Sequence, residues 1–103
     1  MPVKTITKES FGETVLQEKK PVLIDFWASW CGPCSMLTPI VHEIAGETDN
    51  VVFGAVNVDE QPELVRQFGI VSIPTLILMK DGKAVNTSVG FIPKEAVAAM
   101  LGI

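Results

Sequence analysis

The sequence contains few of the residues from which metal sites and disulfide frameworks are built. Its 103 residues include only two cysteines and one histidine, His42. A structural zinc site takes four ligands, usually arranged as two spaced pairs. His42 lies two turns beyond Cys34 on a predicted helix, so we expect it to be an exposed helix residue and not a ligand. The sequence therefore predicts no metal site within the chain, and a metal bridging two chains stays an alternative.

Positive charge and long apolar runs are also scarce. The net charge is −4, and the eight basic residues are scattered, with Lys19-Lys20 the only adjacent pair. Nucleic acids and anionic membranes attract basic surfaces, so we expect neither as a partner. No apolar run approaches the length of a membrane span, and the N-terminal stretch MPVKTITKESF lacks the apolar core of a signal peptide. The sequence therefore predicts a cytoplasmic protein.

Internal repeats, low-complexity tracts and Pro/Gly/Ser-rich linkers are absent as well. A chain of 103 residues has room for one core, and its hydrophobic content of 48% is enough to build it. We therefore expect a single domain spanning residues 1–103.

The pattern of apolar runs predicts the element order β-α-β-α-β-α-β-β-α. The runs PVLIDFW, VVFGAVNVD and PTLILM are typical of strands buried on both faces, and a weakly alternating stretch, residues 3–6, precedes them. Asp81-Gly82 joins the third run to KAVNTSV as a hairpin, which ends at Gly90. This order predicts an α/β fold with a central mixed sheet, in which parallel strands are connected through helices and only the last strands form an antiparallel hairpin. Helices are expected on both faces.

Four helical stretches connect these strands. The first lies within residues 8–20, with Thr7 or Ser10 as its N-cap and an apolar face of Phe11, Val15 and Leu16. The second runs from about Cys34 to Thr48 and contains Pro39, where we expect a kink. The third covers residues 62–68, and the fourth begins at Pro93. The second helix is predicted to turn one apolar face to the core, formed by Met36, Leu37, Ile40, Val41 and Ile44.

The stretch DFWASWCGPC places both cysteines three positions apart at the start of a helix. A Cys31–Cys34 bond closes a tight ring and restricts the unfolded chain little, so it is a poor structural staple. The free N–H groups and the positive dipole end of the helix favour a thiolate on Cys31, whereas Cys34, inside the first turn, is more shielded. We therefore predict a redox-active pair in which Cys31 attacks a substrate disulfide and Cys34 resolves the mixed disulfide.

Asp25 interrupts the apolar run that leads into this stretch. A buried carboxylate is costly unless it is neutral or paired. With its pKa raised by burial, Asp25 could take and return the proton of Cys34; the alternative is a carboxyl that caps a backbone group. Of the two tryptophans, Trp27 is predicted to pack in the core and Trp30 to lie flat at the surface beside Cys31.

WCGPC at residues 30–34 resembles the active-site motif of the thioredoxin family. The resemblance runs along the chain, through Pro39, NVDE at 57–60, FGIVSIPTLILMKDG at 68–82 and VG at 89–90. It implies the thioredoxin fold and a monomeric protein-disulfide reductase that acts on disulfide-containing proteins. It also implies re-reduction by a thioredoxin reductase, a flavoprotein that draws on NADPH, and no bound cofactor beyond the redox-active disulfide.

The resemblance further implies a cis peptide bond before Pro74, which would place Ile73 and Thr75 beside the cysteines. Backbone groups around Ile73 would hold an extended substrate segment by β-like hydrogen bonds. Phe91 is a recognition candidate with core packing as its alternative. The substrate groove implied by the family is formed by Trp30, Gly32, Pro33, Ile73, Pro74, Gly90 and Phe91.

Two positions depart from many bacterial members of the family. Ala55 stands where many carry a lysine close to the buried aspartate, so Asp25 should favour its neutral form still more. Ser35 stands where many have a basic residue, which removes positive charge near Cys31.

Two other functions fit the same resemblance. One is an oxidising or isomerising enzyme on the same fold, against which Gly32-Pro33 and the absence of a signal peptide argue. The other is a binding module whose thiols are incidental; such a relative would be expected to lack a cysteine or Asp25, and this chain has all three.

Overall fold

The computed structural model describes residues 2–103, in which the elements follow the predicted order. Five strands form one sheet: β1 (Val3–Thr5), β2 (Val22–Trp27), β3 (Val52–Asn57), β4 (Thr75–Lys80) and β5 (Lys83–Val89). A π-helical turn (Gly12–Leu16) follows β1. The three α-helices are α1 (Gly32–Ala45), α2 (Pro62–Phe68) and α3 (Lys94–Leu101).

The sheet is mixed, as predicted, with the strand order β1-β3-β2-β4-β5. β3 runs parallel to both β1 and β2, and β4 and β5 form the antiparallel hairpin. β4 is also antiparallel to β2, with Leu23 opposite Leu78, a pairing that the predicted element order did not specify. The short α2 explains this direction of β4. Its seven residues span about 10 Å, whereas β3 spans about 20 Å, so α2 does not return the chain to the far edge of the sheet.

β2 lies in the middle of the sheet, and its residues 22–26 are all buried. Successive side chains of a strand point to opposite faces. Ile24 and Phe26 accordingly pack with the π-helical turn and α2, whereas Leu23 packs with α1 and α3. By the same alternation Asp25 lies on the α1 side, which is the side on which the cysteine-bearing helix begins.

The first helical stretch differs from its prediction. It is a short π-type turn in which the Gln17 N–H donates to the Gly12 carbonyl at 2.9 Å. The wider turn buries Val15 and leaves Leu16 51% exposed, so the prediction that Leu16 belongs to the core face was wrong. Thr7 and Ser10 do not cap this element: the Thr7 N–H donates to Ser10 Oγ, and the Ser10 N–H donates to Thr7 Oγ1.

α1 begins two residues earlier than expected and ends at Ala45. Its buried face contains Leu37, Val41 and Ile44, in agreement with the prediction. Met36, however, is 59% exposed and is not a core residue. Neighbouring residues on a helix point about 100° apart, so a helix that turns Leu37 fully inward carries Met36 toward solvent.

Gly54 of β3 packs closely against Ile6, which is fully buried. A Cβ at this position would overlap Cδ1 of Ile6 and lie 2.7 Å from its Cγ1. We predict that Gly54→Ala lowers the free energy of unfolding by about 1–3 kcal/mol, the usual effect of overpacking a core. Urea unfolding monitored by circular dichroism measures this change.

Two further variants test the cause. Gly12→Ala is the matched control, since no heavy atom lies within 4 Å of a Cβ there. In an Ile6→Val background, which lacks Cδ1, Gly54→Ala should cost less than in the wild type. Equal costs in both backgrounds would contradict the steric explanation.

Candidate active site

The two cysteines lie where β2 leads into α1. Cys31 is the N-cap residue of α1, with an extended backbone (φ −94°, ψ 111°), and Pro33 occupies the first turn. The extended N-cap and a proline, whose fixed φ suits the first turn, together explain why the helix starts here. Cys31 and Cys34 form a disulfide with their Cα atoms 5.3 Å apart, within the usual range for such a bond.

The environment of the disulfide differs between its two sulfurs. Sγ of Cys31 accepts a hydrogen bond from the Cys34 N–H at 3.2 Å, one of the N–H groups left free at the helix start. Cys31 is 7% exposed and Cys34 is 2% exposed, in a cluster with Ala28. The order of exposure agrees with the expectation that Cys34 is the more shielded of the pair.

The loop before β4 reaches the disulfide. The Ile73–Pro74 peptide bond is cis, as the family resemblance implied. The carbonyl oxygen of Ile73 lies 3.8 Å from Sγ of Cys31. The Gly90 N–H, just beyond β5, donates to the Pro74 carbonyl at 2.7 Å. Three chain segments that are distant in sequence therefore meet beside Cys31.

The residues predicted for the substrate groove differ in exposure. Trp30 is 70% exposed and Phe91 is 40% exposed, while Gly32 and Pro33 are also at the surface. Ile73 and Gly90 are half-buried, and Pro74 is buried. Pro74 therefore has little surface that a substrate could contact. It can influence the predicted groove only through the residues beside it.

Sequence reasoning missed two residues at this surface. Val71 is 96% exposed and lines a shallow pocket with Trp30 and Ile73. Asp59 accepts a hydrogen bond from Nε1 of Trp30 at 2.8 Å, which restrains the orientation of the indole. The available signal for Val71 was an apolar residue in the segment FGIVSIP, just before β4. The contact of Asp59 with Trp30 had no such signal, because only the folded chain brings these two residues together.

Asp25 is the principal buried polar residue near the disulfide. It is 3% exposed, and its Oδ1 has no hydrogen-bond partner among residues 2–103. Burial raises the pKa of Asp25 to about 7, because removal from water disfavours the charged form. Backbone capping does not account for this oxygen.

Ala55 is the register partner of Asp25 on β3. The position singled out as the first departure from the family pattern is thus directly beside the carboxyl, and it brings no charge to it. Ser35, the second departure, is exposed, and its hydroxyl donates to the Gly32 carbonyl at 2.6 Å. The first turn of α1 is therefore closed by an uncharged hydrogen bond.

Trp27 and Pro39, which the sequence suggested as structural residues, both lie near Cys34. Trp27 is half-buried and packs against the cluster that contains the disulfide. Pro39 lies inside α1, which continues through it, and both residues line a pocket that includes Cys34. His42 is exposed on α1, as predicted. In the part of the chain that the structure describes, no cluster of three potential metal ligands occurs and no helix is long and apolar enough to cross a membrane.

A mixed sheet that presents a Cys-Gly-Pro-Cys disulfide at a helix start, beside a buried carboxyl, defines a thiol–disulfide oxidoreductase. Comparison with known proteins identifies the family. The Thioredoxin family profile matches residues 2–102. Thioredoxin of Alicyclobacillus acidocaldarius is 50% identical over 98 residues, which cover 94% of this chain and 92% of the relative. Thioredoxin 1 of Synechococcus elongatus is 50% identical over 97 residues, covering 93% and 91% respectively.

A thioredoxin of Pyropia yezoensis is 43% identical over 102 residues, which cover 98% of this chain and 95% of the relative. The chain belongs to the thioredoxin family and has the thioredoxin fold. It is a protein-disulfide reductase with a redox-active cysteine pair, and its family acts on disulfide substrates and is re-reduced by a reductase.

The raised pKa of Asp25 predicts how stability changes with pH. Below the ordinary value of 3.8 the carboxyl is neutral in both the folded and unfolded states. As pH rises from 3.8 to about 7, only the unfolded state ionises, so stability falls, and above about 7 the loss levels off. A shift of this size corresponds to a loss of about 4 kcal/mol. Asp25→Asn should therefore be more stable than wild type at alkaline pH, with a difference that grows across this window.

Urea unfolding of both proteins across that pH range measures the difference. The exposed Asp49 offers a matched control, since Asp49→Asn makes the same change in net charge at the surface. A difference between wild type and Asp25→Asn that does not vary with pH, or a carboxyl NMR titration at an ordinary aspartate value, would contradict the prediction.

Proposed function

We propose that the chain is a general reductant of protein disulfides in which Cys31 attacks, Cys34 resolves and Asp25 carries the proton of the resolving thiol. The observation that carries this proposal is the position of Cys31 at the N-cap of α1, with the N–H of Cys34 directed at its sulfur. A sulfur that accepts this hydrogen bond at the positive end of a helix is favoured as a thiolate once the disulfide is reduced.

The reaction proceeds by two exchanges. The Cys31 thiolate attacks one sulfur of the substrate disulfide, that S–S bond breaks, and the other substrate sulfur leaves as a thiolate. Cys34, after losing its proton, attacks Sγ of Cys31 in the mixed disulfide, which forms the Cys31–Cys34 bond and releases the second substrate thiolate. Two electrons pass to the substrate, and a thioredoxin reductase that draws on NADPH returns two electrons to the pair.

Asp25 is proposed to act on Cys34 because it lies on the α1 side of β2, the strand that leads into the cysteine loop. A pKa of about 7 lets the carboxyl accept and return a proton near neutral pH without a large bias toward either form. Trp27 and Thr38 line both the cavity beside Asp25 and the pocket beside Cys34, so the two spaces adjoin. The adjoining spaces support a proton path between the two groups.

The groove around the disulfide is proposed to receive an extended segment of the substrate protein. Trp30 and Val71 share a pocket with Ile73, and both are exposed apolar side chains, as is Phe91; exposed apolar side chains suit a surface that binds unrelated proteins. We further propose that the chain works as a monomeric single domain in the cytoplasm, a compartment that keeps thiols reduced.

The division of roles predicts different behaviour for the two cysteine variants. Cys34→Ser should form a mixed disulfide with an insulin chain through Cys31 and then stop, because no resolving thiol is present. Cys31→Ser, the matched control, should form no such adduct. Mass spectrometry of the trapped species, together with NADPH oxidation in the presence of a thioredoxin reductase, measures both steps. An adduct formed equally well by Cys31→Ser would contradict this division of roles. Failure of wild type to turn over would favour the binding-module alternative.

Val71 provides a test of the groove that leaves the reacting atoms unchanged. Val71→Asp should raise the KM for insulin several-fold, because a charge would replace an apolar contact in the groove. The rate with a small aromatic disulfide, which needs little of the groove, should stay within about twofold of wild type.

A control at the opposite side of the molecule completes this test. Val85 of β5 is also exposed, and Val85→Asp should leave both rates unchanged. Equal losses with both substrates in Val71→Asp would show that the substitution disturbs the disulfide and not the groove.

A further inference from the structure

A cavity of about 290 Å³ lies between the edge of the sheet and α1. β1 forms one wall, and α1 forms the other with Thr38, Val41 and His42. Asp25 and Ala55, which are register partners, line it from β2 and β3. The function proposed above uses the Trp27 and Thr38 side of this space for a proton path and assigns it no ligand.

The polar lining of the cavity includes a carboxyl group whose buried oxygen has no hydrogen-bond donor within the described part of the chain. Oδ1 of Asp25 is buried without a hydrogen-bond partner in residues 2–103, although the side chain borders an open space. An unpaired buried acceptor is costly, and the cost is larger when the group carries charge. Ala55 supplies only a methyl group opposite it, and Leu76, the register partner on β4, is apolar. The two titratable groups that line the cavity besides Asp25 are Lys4 on β1 and His42 on α1, and both are exposed.

We propose that this cavity, termed the Asp25 cavity, is a binding site for small amphipathic cations that carry a primary ammonium group on a short alkyl chain. The ammonium group would donate to the Asp25 carboxylate where it lines the cavity, and the alkyl chain would contact Val3, Val41 and Ala55. Three N–H donors on a compact cation match a carboxylate that lacks donors. An apolar cavity of about 150 Å³ holds benzene, so the Asp25 cavity has room for a four-carbon chain.

The charge of the site sets its pH dependence. Burial raises the pKa of Asp25 to about 7, so the carboxylate form that attracts the cation predominates above that pH. An alkylammonium ion stays protonated to about pH 10. Binding should therefore strengthen as pH rises through 7, and bound cation should lower the pKa of Asp25 in return.

n-Butylammonium chloride is the probe, added to the oxidised protein so that no thiol titrates. We expect saturable shifts, with a millimolar dissociation constant, in the NMR signals of Ala55, Val41 and the Trp27 indole. If the cation prefers the carboxylate tenfold, saturation lowers the pKa of Asp25, followed by its carboxyl carbon, by about one unit. 1-Butanol, of similar size without charge, should bind at least tenfold more weakly.

Three variants separate the parts of the site. Asp25→Asn should weaken binding at least tenfold while keeping the shape of the cavity, and Ala55→Leu should abolish binding by filling it. Asp49→Asn, which removes an exposed carboxylate elsewhere, should bind as wild type does. A preserved NMR spectrum shows that each variant is folded.

Several outcomes would overturn the proposal. These are butanol binding as tightly as butylammonium, Asp25→Asn binding unchanged, Asp49→Asn losing binding as strongly as Asp25→Asn, or the absence of saturable shifts in wild type. Binding is measured without turnover, so it does not depend on the proposed function. Only the further expectation that bound cation slows release of substrate from Cys31 rests on the proposed role of Asp25. A cation that binds but leaves that step unchanged would refute the proton-transfer role and leave the site intact.

Discussion

The burial of one carboxyl in the central strand is the constraint on which the site depends. β2 is paired on both sides and covered on both faces, so Asp25 has no route to bulk water along its own strand. Among residues 2–103, no donor pairs with Oδ1 of Asp25, and leaving a buried carboxyl oxygen unpaired is costly. The same strand leads directly into the cysteine loop, so the packing that buries Asp25 also fixes the direction from which Cys31 and Cys34 enter α1.

The antiparallel direction of β4 explains how distant segments reach the disulfide. Phe26, near the end of β2, lies opposite Thr75, the first residue of β4, and Thr75 lies opposite Val89, the last of β5. The end of β2, the loop before β4 and the turn after β5 therefore share one edge of the sheet. A parallel β4 would have carried the Ile73–Pro74 loop to the opposite edge. With β4 antiparallel to β2, the carbonyl oxygen of Ile73 lies 3.8 Å from Sγ of Cys31.

The structure could be predicted from the sequence where it depends on residues that are neighbours in the chain. Pro33 and the extended N-cap fix the start of α1, and the apolar runs locate β2 to β4, so the cysteine pair could be placed before the fold was known. The sequence was insufficient where geometry depends on several elements at once. The direction of β4 depends on the length of α2 relative to β3, and the exposure of Met36 depends on the rotation of α1. The contacts of Val71 and Asp59 with Trp30 join residues far apart in the chain, and no periodicity records such contacts.

The register pairing of Asp25 with Ala55 shows how the arrangement of the strands affects the chemistry of one side chain. Because β3 brings no charge to the carboxyl, burial is the cause of its raised pKa, and the proton affinity of the site is set by packing and not by an ion pair. A larger residue at position 55 would fill the space beside Asp25. A positively charged residue there would lower the pKa of Asp25, the opposite of the effect of burial. A small apolar residue at this position adds no charge and leaves the space beside Asp25 open. Ala55 therefore acts on the pKa of Asp25 through packing, beside the strand that leads to Cys31 and Cys34.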